Sequence, residues 1–177
     1  CLSTTTIGWK TKVSVPDYDK YIICAAPHTT NWDLFIGKLF MGAIGRETGF
    51  MMKKTGSSAL GPIFRWMGGI PVDRSRKTSL VDQMIKIAKS SQKFHLAITP
   101  EGTRKANPQL EERFYYIAQG AGLPIILVAI DYEKKCITAE KVIHPSGDLD
   151  KDMREIKLYY KNFKGKYPEN FSIGKVE

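Results

Sequence analysis

His28 and Asp33 close the string His28-Thr29-Thr30-Asn31-Trp32-Asp33, and their types and spacing suit proton transfer. A histidine held in one tautomer by a carboxylate is the usual build of a general base. No serine or cysteine stands beside the pair in a nucleophile-elbow setting, so such a base would act directly on a substrate hydroxyl. The string also has a plainer reading. Thr30-x-x-Asp33 matches a capping box, in which the threonine caps a helix and the acidic residue three positions on returns the bond. Two further strings carry groups of the same kind. Gly68-Gly69-Ile70-Pro71-Val72-Asp73-Arg74 ends in an arginine whose planar fork can clamp a phosphate or carboxylate. Its alternative is a solvated strand end. Pro100-Glu101-Gly102-Thr103-Arg104 can set Glu101 and Arg104 beside a phosphorylated acceptor, with Thr103 and backbone N–H groups assisting. Its alternative is a plain turn built on Gly102.

These strings need elements to aim them. The apolar run 21–26 reads as a buried strand, and a helical pattern follows it over about 31–46. Further strands are expected over 50–52, 70–72, 94–99, 123–130 and 136–143. Helices are expected over 59–67, 78–89, 110–119 and 149–163, the last with Leu149, Met153, Ile156, Tyr160 and Phe163 at helical spacing. Alternation of this kind predicts an α/β fold with a mostly parallel central sheet flanked by helices. Ligands bind off the carboxyl ends of the strands in such sheets. His28, Arg74 and Glu101 each follow a strand and so are expected on one rim.

A chain of 177 residues is expected to form one domain, 1–177, with a proper core. Lys and Arg number 27 against 18 for Asp and Glu, a net charge of +9 that favours anionic partners. With no RNP-type or zinc-finger pattern, nucleic acid is not expected among them. The three cysteines, Cys1, Cys24 and Cys136, form no CxxC pair, which points to a reducing compartment without a disulfide frame. No apolar run approaches the ~18 residues needed to span a bilayer, so membrane contact is expected to be peripheral.

In this order and at these separations, HTTNWD, GGIPVDR, PEGTR and LPIILV resemble the four motif blocks of the glycerophospholipid acyltransferases. That family includes the bacterial 1-acylglycerol-3-phosphate acyltransferases with their HxxxxD motif. The resemblance runs from about residue 21 to residue 130. It implies a glycerol-3-phosphate acyltransferase-like fold and transfer of a fatty acyl group from acyl-CoA or acyl-carrier protein to the hydroxyl of a lysophospholipid or glycerol-phosphate-type acceptor. His28 would be the base and Asp33 its orienting partner. Arg74 would bind the acceptor phosphate, with Glu101, Gly102, Thr103 and Arg104 completing that site. Lys53 falls where the family often has a functional lysine. The resemblance implies no cofactor, no metal and no covalent acyl-enzyme. The expected location is cytoplasmic, with peripheral contact at the inner face of an anionic membrane. One departure is pronounced: Thr55-Gly56-Ser57-Ser58 stands where members usually carry Glu-Leu and bulky apolar residues.

Overall fold

The computed structural model describes residues 2–6, 8–30, 32–53, 68–72, 79–100 and 112–172. Eight strands form one sheet: β1 (Leu2–Thr6), β2 (Trp9–Val13), β3 (Lys20–Ala26), β4 (Gly49–Lys53), β5 (Gly69–Val72), β6 (Phe94–Ile98), β7 (Ile125–Asp131) and β8 (Cys136–Ile143). Four α-helices are described: α1 (Trp32–Ala43), α2 (Leu80–Ser90), α3 (Arg113–Ala121) and α4 (Leu149–Tyr160). The spatial order of the strands is β1-β2-β8-β7-β3-β6-β4-β5. β3 pairs parallel with β6 and β7, and β4 pairs parallel with β5 and β6. The five adjacent strands β7-β3-β6-β4-β5 are thus mutually parallel, and their carboxyl ends form one rim. β7 and β8 are antiparallel, as an intervening turn of a few residues requires, and β2 runs parallel to β8. The α/β fold with a mostly parallel sheet is the architecture expected from the alternation of strand and helix patterns.

Period-two side-chain alternation builds a core on each face of the sheet. From β3 and β7, Ile22, Cys24, Ala26, Ile125, Leu127 and Ala129 face α2, α3 and α4, where Met84, Phe114, Ile117, Met153 and Ile156 meet them. Their alternates Tyr21, Ile23, Ile126, Val128 and Ile130 face the other way, onto Phe40 and Met41 of α1. Because both faces are covered, the central strands are continuous apolar runs rather than alternating ones.

The boundaries differ from the sequence expectation where capping chemistry intervenes. α1 stops at Ala43, short of Arg46, because Gly45 adopts a left-handed φ of 70° and Arg46 N–H turns back to the Met41 carbonyl. α2 starts at Leu80, after Ser79, whose side chain accepts the Asp82 N–H. β7 starts at Ile125 because the left-handed Gly122 closes α3 just before it. α4 ends at Tyr160 and leaves Phe163 in the segment beyond. The two N-terminal strands were not anticipated. β2, of sequence WKTKV, carries a half-buried alternation (Thr11 and Val13 in, Lys10 and Lys12 out), but it is only 5 residues long and rich in charge. The expected helix over 59–67 and the 55–58 departure lie outside the described residues.

Candidate active site

β3 is apolar to its end, and the chain leaves it through a cis Ala26–Pro27 peptide bond. The loop then folds His28 back over the start of α1, so that His28 Nδ1 stands 3.3 Å from Asp33 Oδ2. The same oxygen accepts the backbone N–H groups of Thr29 and Thr30, each at 2.8 Å. Thr30 Oγ1 accepts the Trp32 N–H at 2.8 Å. The first N–H groups of a helix lack intrahelical partners, and the helix dipole favours negative charge there. One carboxylate therefore does both things the sequence suggested. It closes the capping box, and it faces the imidazole.

The Asp33 side chain is 2% exposed and that of His28 20%, so solvent and substrate reach the ring but not its partner. An imidazole nitrogen turned toward a carboxylate carries the proton, which leaves Nε2 as the basic atom. Burial alone would push the Asp33 carboxyl up. Hydrogen bonds from His28, Tyr132 and the Thr30 backbone outweigh it and hold the group below the usual aspartate range. Asp33 is thus a fixed negative charge at neutral pH.

The second carboxylate oxygen is held from an unexpected direction. Tyr132, the residue after β7, donates its hydroxyl to Asp33 Oδ1 at 2.5 Å across 99 positions of sequence. Burial, then the bond to Asp33, push the Tyr132 phenol far above its ordinary value, so it stays protonated and donating. Trp9 of β2 packs against Tyr132 with the two rings perpendicular, centroids 5.1 Å apart at 88°. The segment after α4 closes behind this group. Tyr132 N–H donates to the Lys164 carbonyl at 3.0 Å, and Tyr167 N–H to Thr29 Oγ1 at 3.3 Å. Between them Gly165 presses so close that a Cβ there would lie 2.8 Å from Thr29 Cγ2 and 3.1 Å from Pro27 Cβ.

Of the residues expected at the site, the structure brings His28 and Asp33 together. Lys53 ends β4, on the same sheet rim from which His28 follows β3. Arg74, Glu101, Gly102, Thr103 and Arg104 lie outside the described residues. Sequence reasoning missed Tyr132, Trp9 and Gly165. No local pattern marks them, since each acts through a neighbour far away in the chain. Among the described residues, no group of three or more His, Cys, Asp or Glu is placed to hold a metal ion. No described helix is long and apolar enough to cross a membrane.

A family model described as Acyltransferase matches residues 10–131, which includes His28, Asp33 and every strand from β3 to β7. No curated protein sequence matches the chain. Among solved structures, the 1-acyl-sn-glycerophosphate (LPA) acyltransferase PlsC from Thermotoga maritima is similar in fold. The TM-score is 0.57 at 16% sequence identity, covering 85% of this chain and 69% of that one.

Proposed function

Because this chain belongs to the acyltransferase family, we propose that it transfers a fatty acyl group from an acyl thioester to the hydroxyl of a lysophospholipid or glycerol-phosphate-type acceptor. The observation that carries the reading is the partly exposed His28 imidazole, its Nδ1 turned 3.3 Å from the buried Asp33 carboxylate. Nε2 of His28 removes the proton of the acceptor hydroxyl as its oxygen attacks the thioester carbonyl carbon. The tetrahedral intermediate then collapses, the C–S bond breaks, and the departing thiolate takes the proton from the imidazolium. Asp33 keeps the ring in the required tautomer and offsets the positive charge it gains. A positioned base of this type contributes about 10²–10⁴-fold in rate.

Arg74, Glu101, Gly102, Thr103 and Arg104 are assigned to the acceptor phosphate, and Lys53 to the same rim, on the family resemblance of their motifs. The donor is acyl-CoA or acyl-carrier protein, and no cofactor is required. We place the protein in the cytoplasm, in peripheral contact with an anionic membrane. Its net charge of +9 supports that contact, as do Trp32 and Leu39 on α1, 61% and 64% exposed beside the site. Co-sedimentation with anionic vesicles at low salt is the expected result, and absence of binding there would rule the contact out.

The central test is thiol release from a long-chain acyl-CoA, with and without 1-acylglycerol 3-phosphate. Release is expected to require the acceptor and to fall by about 10²–10⁴-fold in His28→Ala. Full release without any acceptor would make the protein a thioesterase that activates water with the same base. Undiminished release from His28→Ala would end the mechanism.

A further inference from the structure

Resting on that reading, we propose that Tyr132 is a positioning residue for the His28–Asp33 pair, locked in place by Trp9 and the 164–167 segment. All of these supports fall outside the 10–131 stretch that the family model matches. The inference starts from the two oxygens of Asp33. Oδ2 is held by two backbone amides and faces His28. Those contacts sit on one side of the carboxylate, and the terminal torsion of an aspartate is intrinsically broad. The two oxygens turn together about the Cβ–Cγ bond, so the Tyr132 hydroxyl, on Oδ1 at 2.5 Å, holds the same torsion from the opposite side. Thr30 donates its amide N–H to Oδ2 and accepts the Trp32 N–H, so the helix cap and the tyrosine hydroxyl meet on the one carboxylate.

A tyrosine can orient a carboxylate only if its own ring is fixed. Here the Trp9 ring packs perpendicular to the phenol, centroids 5.1 Å apart, and the bond from Tyr132 N–H to the Lys164 carbonyl holds the backbone that carries it. The Lys164 carbonyl belongs to the segment that also reaches the catalytic loop directly. Gly165 packs against Thr29 and Pro27, and Tyr167 N–H bonds Thr29 Oγ1. Thr29 is the residue between His28 and the helix cap, and its amide is one of the two on Oδ2. The C-terminal segment therefore sets the orientation of the pair twice, through Tyr132 from one side and Thr29 from the other. For packing alone a phenylalanine at position 132 would serve. The hydroxyl is the part aimed at Asp33.

Tyr132→Phe in the full chain separates the two roles. With a long-chain acyl-CoA and 1-acylglycerol 3-phosphate, kcat is expected to fall about 10–100-fold, as loss of one charge-assisted hydrogen bond allows. KM for both substrates should stay within about twofold, since nothing that touches substrate is removed. In proton NMR, the downfield His28 Nδ1 proton should move upfield and exchange faster with water. Gly165→Ala pushes on Thr29 from the other side and should also lower kcat. Adding Thr29→Ser removes the closest contact, the methyl, and should restore part of kcat, since the 3.1 Å approaches to Thr29 Oγ1 and Pro27 Cβ remain; a general loss of stability would not produce that coupling. An unchanged kcat and an unchanged His28 proton in Tyr132→Phe would overturn the proposal, whatever happens to the melting temperature. So would an unchanged kcat in Gly165→Ala, or a Gly165→Ala defect that Thr29→Ser leaves in place. If the unmodified protein turns over neither substrate, acyl transfer to this acceptor falls, and the His28 proton signal alone then decides the positioning role.

Discussion

Asp33 and Asp152 are near twins in their surroundings. The residues are 3% and 4% exposed, and each accepts backbone N–H, two on Asp33 and one on Asp152, together with a tyrosine hydroxyl. Asp152 takes Ser146 N–H at 2.7 Å, Ser146 Oγ at 2.9 Å and Tyr115 hydroxyl at 2.8 Å. Tyr115 also accepts the Gly147 N–H, so the cluster pins the loop before α4 just as the Asp33 cluster pins the loop before α1. In both, burial would raise the carboxyl and the hydrogen bonds outweigh it, leaving it below the ordinary value. The difference is what else stands nearby. Asp33 faces a partly exposed imidazole at the carboxyl end of a parallel strand, whereas the partners of Asp152 are a serine, a tyrosine and backbone. A buried carboxylate at a helix start is thus a way of holding a loop, and it acquires chemistry only when that loop carries a base.

The comparison breaks most visibly at the carboxylates themselves. Asp33→Asn is expected to lower kcat by about 10²–10⁴-fold, because the imidazole loses both its orienting partner and its counter-charge. Asp152→Asn should leave kcat within about twofold, with both variants assayed by thiol release. In urea titrations the two should lose similar stability, about 1–3 kcal/mol each, as buried donors are left without their acceptor. A large rate loss in Asp152→Asn would erase the distinction. So would a purely thermodynamic effect of Asp33→Asn.

The tyrosines give a smaller contrast. Tyr115→Phe should cost about 1–2 kcal/mol of stability and leave the His28 Nδ1 proton signal unmoved, in contrast to Tyr132→Phe. The smallest effect is shared by the two clusters. Both aspartates have folded-state values below the ordinary 3.8, so each adds stability above that pH and loses it as the pH falls through its folded value. Acid unfolding should therefore steepen below about pH 4, and replacing either aspartate by asparagine should flatten that limb. An acid limb identical in all three proteins would show that the clusters do not hold their carboxylates charged.

Most of the fold was legible because its signals are local. The runs in β3 and β7 are apolar at every position, and both faces of those strands turn out to be covered. The helical stripe of α4, with Met153, Ile156 and Tyr160, is buried as its spacing implied. β1 and β2 were not legible. LSTTT has a single large apolar residue, and WKTKV alternates over only 5 residues, with two lysines as its exposed half. β2 becomes a strand through pairing with β8, and β1 through pairing with β2, rather than through their own propensity.

The site divides along the same line. His28, Thr30 and Asp33 could be paired from sequence because a cap and a short loop connect them, and local geometry leaves few alternatives. The sequence by itself determined an α/β chain, through its alternating strand and helix patterns, with a base-like pair at a strand-to-helix junction. Only the tertiary structure decided that the pair is held from three remote places: Trp9 on β2, Tyr132 after β7, and Gly165 beyond α4. The reason is physical. Hydrogen bonds and close packing act over a few ångströms of space, and the 99 positions between Asp33 and Tyr132 carry no periodic or turn signal that could announce their 2.5 Å contact.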